Sequence, residues 1–230
     1  MSLLALDTAT EACSAAVLLP DRMVSRCVEL ARGHSEQILP MIDAVLAEAG
    51  LELPALDAIA FGRGPGSFTG VRLAIGVAQG LAFGARRPVV PVSDLRALAQ
   101  QTFDLSPAAA SVLVCSDARM HEVYWAAYRR DARGLAEALC AERVSPAHAV
   151  ALPSDLPRPT YAAGRGFRAY PELARALEGG IDAMHNTLLP RASEVARLAV
   201  VELAAGRGVS PEAAVPQYLR DDVARPPSRD

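Results

Sequence analysis

The residues best placed for chemistry come early in the chain. Asp7 closes a short apolar run, Leu3 to Leu6, and opens onto the hydroxyl-rich turn Thr8-Ala9-Thr10. A carboxylate at a strand end can orient metal-bound water, and small turn residues let backbone amides approach a phosphate. Glycine is the usual means of that approach, and Thr8 and Ala9 stand in its place. Two readings are open: a retained or vestigial nucleotide contact, and an Asx-type turn in a tight hairpin. The second group is Gly64-Pro65-Gly66-Ser67-Phe68-Thr69-Gly70, three glycines, a proline and two hydroxyls ahead of an apolar run. This is the composition of an anion nest at the positive end of a helix, with Arg72 close behind. Gly64, Gly66 and Ser67 then join Asp7 and Thr8 as cofactor-binding candidates. It is equally the composition of a loop that packs tightly on the first strand and helix.

Other groups carry less chemistry. A histidine pair that holds a metal on one helical face needs the spacing HxxxH, so that both imidazoles point at one ion. Four residues after His34 comes Ile38, which leaves His34 a cap or packing residue and no metal site. Asp117-Ala118-Arg119 and His121-Glu122 resemble an acid/base cluster, but no serine or cysteine nucleophile is arranged near them, and a charged hairpin turn accounts for them. Gly164-Arg165-Gly166 is a second, weaker candidate for a nucleotide-side loop. No catalytic residue is assigned.

Gly76, Gly80 and Gly84 recur every four residues, which gives a helix one face without side chains. Each costs about 1 kcal/mol against alanine in a helix interior, so close approach by another helix is needed to offset the loss. That helix belongs either to the same monomer or to a partner. Leu73 and Val77 beside the stripe, with Ile38, Leu39 and Ile42 on the preceding helix, complete the candidate partner interface.

All 23 basic residues are arginine. Without lysine, a GxxxxGK[ST] phosphate loop, a protein-kinase catalytic lysine and a Schiff-base mechanism are excluded. A net charge of −3 with no arginine run gives no general attraction to polyanions, so tight binding of RNA by this chain alone is not expected. Cys13, Cys27, Cys115 and Cys140 form no CxxC pair and read as reduced, mostly buried thiols of a cytoplasmic protein. Neither a basic leader nor an uncharged apolar run of membrane-spanning length is readable, so secretion and membrane insertion are not expected.

The elements that must position these residues follow from periodicity. Three strands open the chain: 3–6, 13–19 and 24–30. A helix at about 35–49, with Ser35 as its cap, ends at Gly50. A strand at 56–61 leads into the glycine loop and a helix at about 69–85, followed by a strand at 88–92 and a helix over 94–103 capped by Ser93. The second half repeats the opening with strands at 111–116, 123–128 and about 135–144, a strand at 160–163 and a helix over 192–205. Two successive βββαβα units predict an α/β protein with a duplicated ribonuclease H-like or actin-like fold (ASKHA) in two lobes, each a mixed sheet with an antiparallel meander flanked by helices. The first lobe is expected over 1–103, the second over 104–218 with its helix 192–205 packing back on the first, and a flexible tail over 219–230.

Leu4-Ala5-Leu6-Asp7-Thr8-Ala9-Thr10, His34-Ser35-Glu36, Gly62-Arg63-Gly64-Pro65-Gly66-Ser67-Phe68-Thr69-Gly70-Val71-Arg72 and Pro216-Gln217-Tyr218-Leu219-Arg220 together resemble the TsaB (YeaZ) family over nearly the whole chain. The glycine-loop segment is the specific part. The resemblance implies a bacterial protein needed to place threonylcarbamoyl on adenosine 37 of tRNAs that read codons beginning with A. It implies a TsaD-like partner that carries the paired histidines and the transfer chemistry, a TsaE-like ATPase that joins the pair, ATP or ADP at the interface with the TsaD-like partner, tRNA contact only through the complex, and a homodimer through the same surface. The competing expectations are an actin-fold ATPase or small-molecule kinase using Asp7 and the glycine loop, and a glycoprotease-like peptidase, for which neither metal pair nor nucleophile is visible.

Overall fold

The computed structural model describes residues 1–220. Strands β1 (Leu3–Asp7), β2 (Ala12–Leu18) and β3 (Met23–Glu29) form the antiparallel meander, and α1 (His34–Ala49) leads to β4 (Ala58–Gly62). Then follow α2 (Phe68–Ala85), β5 (Val89–Val92) and α3 (Asp94–Leu105). The second half runs β6 (Ser111–Asp117), β7 (Glu122–Arg130), β8 (Ala136–Ala138), β9 (Arg143–Pro146) and β10 (Thr160–Ala163), then α4 (Gly166–Ala169), α5 (Pro171–Ala176), β11 (Ala183–His185) and α6 (Ala192–Ala204).

The two sheets have one topology. The first is ordered β3-β2-β1-β4-β5, with β1 antiparallel to β2 and parallel to β4, which is parallel to β5. The second is ordered β8-β7-β6-β10-β11, with β6 antiparallel to β7 and parallel to β10, which is parallel to β11. The strands correspond one for one, so the duplicated actin-like fold is present. One expected strand, 135–144, is two: β8 and β9 share the edge of β7, separated by a break at Leu139 to Glu142.

Strand periodicity sorts the core. Leu4, Leu6, Ile59 and Phe61 face Ile38, Ile42, Val45, Ala74 and Ala78 of α1 and α2, while Leu3, Ala5, Ala58 and Ala60 face Val195, Ala196 and Ala199 of α6. The closing helices are exchanged: α3, from the first half, packs on β6, β7 and β8, and α6, from the second half, packs on β1, β2, β4 and β5. Together α3 and α6 make the middle layer between the sheets. Arg220 is held by Glu122 and the Ala118 carbonyl, so the tail expected over 219–230 does not begin at 219; its remainder, 221–230, lies outside the described residues.

Helix ends differ in one place from expectation. Gly33, left-handed at φ 92°, precedes α1, and Ser35 lies inside the helix with its hydroxyl on Glu36. Gly50 ends α1 in the left-handed conformation, and Ser67 and Ser93 cap α2 and α3 by accepting from Gly70 N and Arg96 N. Cys13 and Cys115 are buried, Cys140 is half-buried and Cys27 is exposed.

Candidate functional site

Three places come out of this arrangement. The first is the corner where β1 ends. Asp7 is wholly buried, and its Oδ1 accepts from Ala9 N at 2.7 Å, an Asx turn. The Thr8 hydroxyl donates to the Gly70 carbonyl at 2.7 Å, and Ser67 N donates to the Ala9 carbonyl at 2.7 Å. The glycines of the loop are explained by this contact: a Cβ on Gly66 would lie 2.5 Å from the Ala9 carbonyl oxygen, and one on Gly70 would overlap that of Thr8. Gly64 N donates to Asp94 Oδ2 at 2.5 Å, and Gly70 N to Ser67 Oγ at 3.3 Å. Asp7, Thr8, Gly64, Gly66 and Ser67 are therefore neighbours, as expected, but the amides of Gly64, Ser67 and Gly70 are spent on the protein, and of the five residues only Ser67 is exposed. The close-packing reading of the loop describes this geometry, and an open phosphate nest does not.

Asp94, in sequence only the first residue of a helix capped by Ser93, is the missing member of this corner. It is buried against Asp7 across Gly62. Burial pushes Asp7 up to about 6 and raises Asp94 well above its ordinary value of 3.8, the negative charge of Asp7 adding to the effect on Asp94. Its sequence signal was slight: an acidic residue directly after a capping serine at a strand end.

The second place is a cleft of about 1040 Å³ between the lobes, lined by Thr10, His34, Ser67, Asp117, Arg168 and Tyr218 among others. Ion pairs bridge it: Arg165 donates to both oxygens of Glu29 at 2.7 and 2.6 Å, and Arg119 meets Glu11 at 3.3 Å. The turn from Asp117 to Glu122 is a charged hairpin as expected, with Arg119, Met120 and His121 all at positive φ. His34 contacts the Thr10 carbonyl at 2.9 Å, and Ile38 is wholly buried in the core. Among the described residues no group of three or more His, Cys, Asp or Glu is set to hold a metal.

The third place is the outer side of α2. Gly76, Gly80 and Gly84 are exposed, and among the described residues a Cβ on any of them would meet nothing within 4 Å, so nothing described packs on the stripe. Phe68 (56% exposed) and Phe83 (71%) flank it, and Leu39 of α1 (49%) lies exposed on the neighbouring helix. Arg72 stacks over the Phe68 ring at 3.3 Å and lies 5.3 Å from that of Tyr218. Leu73 and Val77 are half-buried against the core beneath. Two of the expected interface residues are corrected: Ile38 and Ile42 are 0% and 1% exposed and belong to the inner face of α1, because the helical period that put them together points them at the sheet. By length and composition α2 is apolar enough to cross a membrane, and its apolar residues lie on both faces, one in the core and one outside.

A TsaB protein of Escherichia coli, described as a tRNA threonylcarbamoyladenosine biosynthesis protein, is 43% identical over 97% of this chain and 96% of its own length. The chain belongs to the TsaB family. A Haemophilus influenzae TsaB is 42% identical over 97% of the chain and 95% of its own length. The solved structure of YeaZ from Pseudomonas aeruginosa superposes with a TM-score of 0.85 at 44% identity, covering 95% of this chain and 99% of that one. The family model described as TsaD, tRNA N6-adenosine threonylcarbamoyltransferase, matches residues 28–226. The TsaB family and the transferase family thus share this duplicated frame.

Proposed function

We propose that this chain serves in the formation of threonylcarbamoyladenosine in tRNA, the process for which its relatives are named, as a non-catalytic subunit paired with a TsaD-like transferase through the outer side of α2 and the adjoining Leu39 of α1. The observation that carries this reading is the glycine stripe. Gly76, Gly80 and Gly84 each weaken α2 by about 1 kcal/mol relative to alanine, and nothing in the described chain packs on them to recover it. A partner helix seated there would recover it through backbone contact and would cover Phe68 and Phe83. Ile38, locked in the core where a metal-holding pair needs its second imidazole, supports leaving the transfer chemistry to the partner.

In this reading a TsaE-like ATPase joins the pair, nucleotide binds at the shared interface and not at Asp7, and tRNA meets this chain only within the cytoplasmic assembly. Without the partner, a second copy covers the same face. Gly76→Leu and Gly80→Leu test it in the full chain, by circular dichroism and by titration against the TsaD-like protein. The expected result is an unchanged fold, since the new side chains point into open space, with pairing weakened at least tenfold. Undiminished pairing would remove the interface, and undiminished threonylcarbamoyladenosine in tRNA after depletion of the chain would remove the function.

A further inference from the structure

Asp7 and Asp94 are two acids buried side by side. A Cβ on Gly62 would lie 2.5 Å from Asp94 Oδ1 and 3.0 Å from Asp7 Oδ1, so only glycine leaves room for both. Each carboxyl has one oxygen satisfied by a backbone amide, Asp7 Oδ1 by Ala9 and Asp94 Oδ2 by Gly64. The other two oxygens, Asp7 Oδ2 and Asp94 Oδ1, are buried without a hydrogen-bond partner among the described residues. The carboxyls are within hydrogen-bonding reach of each other. Two ionised carboxylates so placed repel each other, whereas a single proton turns the repulsion into a charge-assisted O–H···O bond. We propose that Asp7 and Asp94 form a binding site for one proton, held at neutral pH, and that this proton ties the β1–β2 turn to the start of α3 and to the glycine loop in front of α2.

Among the described residues no other neutralising group is in contact with the pair. Arg63, from the turn after β4, acts on Asp94 at longer range and meets Glu142 Oε1 at 3.4 Å, the same oxygen to which the Tyr128 hydroxyl donates. His34 of α1 acts on Asp7 through space while its ring is on the Thr10 carbonyl, and the Cys13 thiol on β2 is pushed up to about 11, first by burial and then by Asp7. The proton belongs to the pair, since burial raises the proton affinity of both members. Both groups hold protons more tightly folded than at their ordinary value of 3.8. The stability they contribute is therefore full below that value and is lost as pH rises through the folded values.

Asparagine mimics the protonated acid. In Asp94→Asn the amide donates permanently to Asp7 and still accepts from Gly64 N; in Asp7→Asn the roles reverse. In the double variant two amide NH₂ groups face each other. Infrared spectra of the wild-type chain are expected to show a protonated-carboxyl absorption at neutral pH that Asp94→Asn removes. Urea midpoints measured from about pH 5 to about pH 9 are expected to fall with pH more steeply for the wild type than for Asp94→Asn, with the double variant less stable than either single one. An absent absorption, equal slopes, or a double variant as stable as the singles would overturn the proposal. So would a wild-type midpoint raised by magnesium or calcium and lowered by a chelator, which would make the pair a cation site.

Discussion

At the end of β1, Asp7 accepts a hydrogen bond from the amide two residues on, at 2.7 Å; at the end of β6, Asp117 does the same for Arg119 at 2.8 Å. Gly62-Arg63-Gly64 begins on the last residue of β4, and Gly164-Arg165-Gly166 follows the equivalent β10. Each arginine crosses to the other half, Arg63 to Glu142 and Arg165 to Glu29. The backbone corner has been copied, but its surroundings have not. In the first half the glycine loop and the start of α3 close over the aspartate and strip it of water; in the second the aspartate lines the cleft, with Arg119 and the Tyr170 hydroxyl as partners. Duplication transmits geometry, and burial then sets what surrounds each copy of the carboxyl: a second acid in the first half, the open cleft in the second.

The contrast can be broken most severely at the loop that closes the first corner. Gly70→Ala drives a methyl into the Thr8 carbonyl and is expected to cost about 4 kcal/mol in urea unfolding, with loss of the folded chain if the turn cannot shift. The two crossing arginines come next. Arg63→Ala strands Glu142, whose side chain is 10% exposed, and is expected to cost about 2–3 kcal/mol. Arg165→Ala releases Glu29, 58% exposed, for under about 1 kcal/mol. Equal costs would mean that the two corners are closed alike. Gly80→Ala inverts the Gly70 result: on the open side of α2 it is expected to stabilise the free chain by about 0.5–1 kcal/mol, measured by the same unfolding. The smallest effect sharpens the comparison most. Asp117→Asn, at a side chain that lines the cleft, is expected to change urea stability by less than about 0.5 kcal/mol, while Asp94→Asn flattens the pH dependence of stability.

Much of the frame was legible because strand and helix periods are local. β10 falls on 160–163 as read, and α6 on its expected span to within one residue. The capping serines Ser67 and Ser93 announce α2 and α3, whereas Ser35 misled because a left-handed Gly33 had already turned the chain. The Asx turn at Asp7 was legible too, but its burial was not. Asp94 meets Asp7 only through the parallel placement of β4 and β5 beside β1, a tertiary fact with no sequence period. For the same reason the glycine stripe was visible as a stripe, while the side it faces could be read only once α2 had been laid on the sheet. Ile38 and Ile42 were assigned outward from spacing that fits an inward face equally well.

The exchange of α3 and α6 sets an order on how the protein can be made. The inner side of the first sheet, Leu3, Ala5, Ala58 and Ala60, is covered by a helix that ends at Ala204. As the chain leaves the ribosome, that apolar side stays uncovered until nearly the whole sequence has emerged, so the N-terminal half is not a unit that can mature early or be expressed to advantage by itself. A nascent chain paused after α3 would present both an unfinished sheet and a helix whose own sheet has yet to be synthesised.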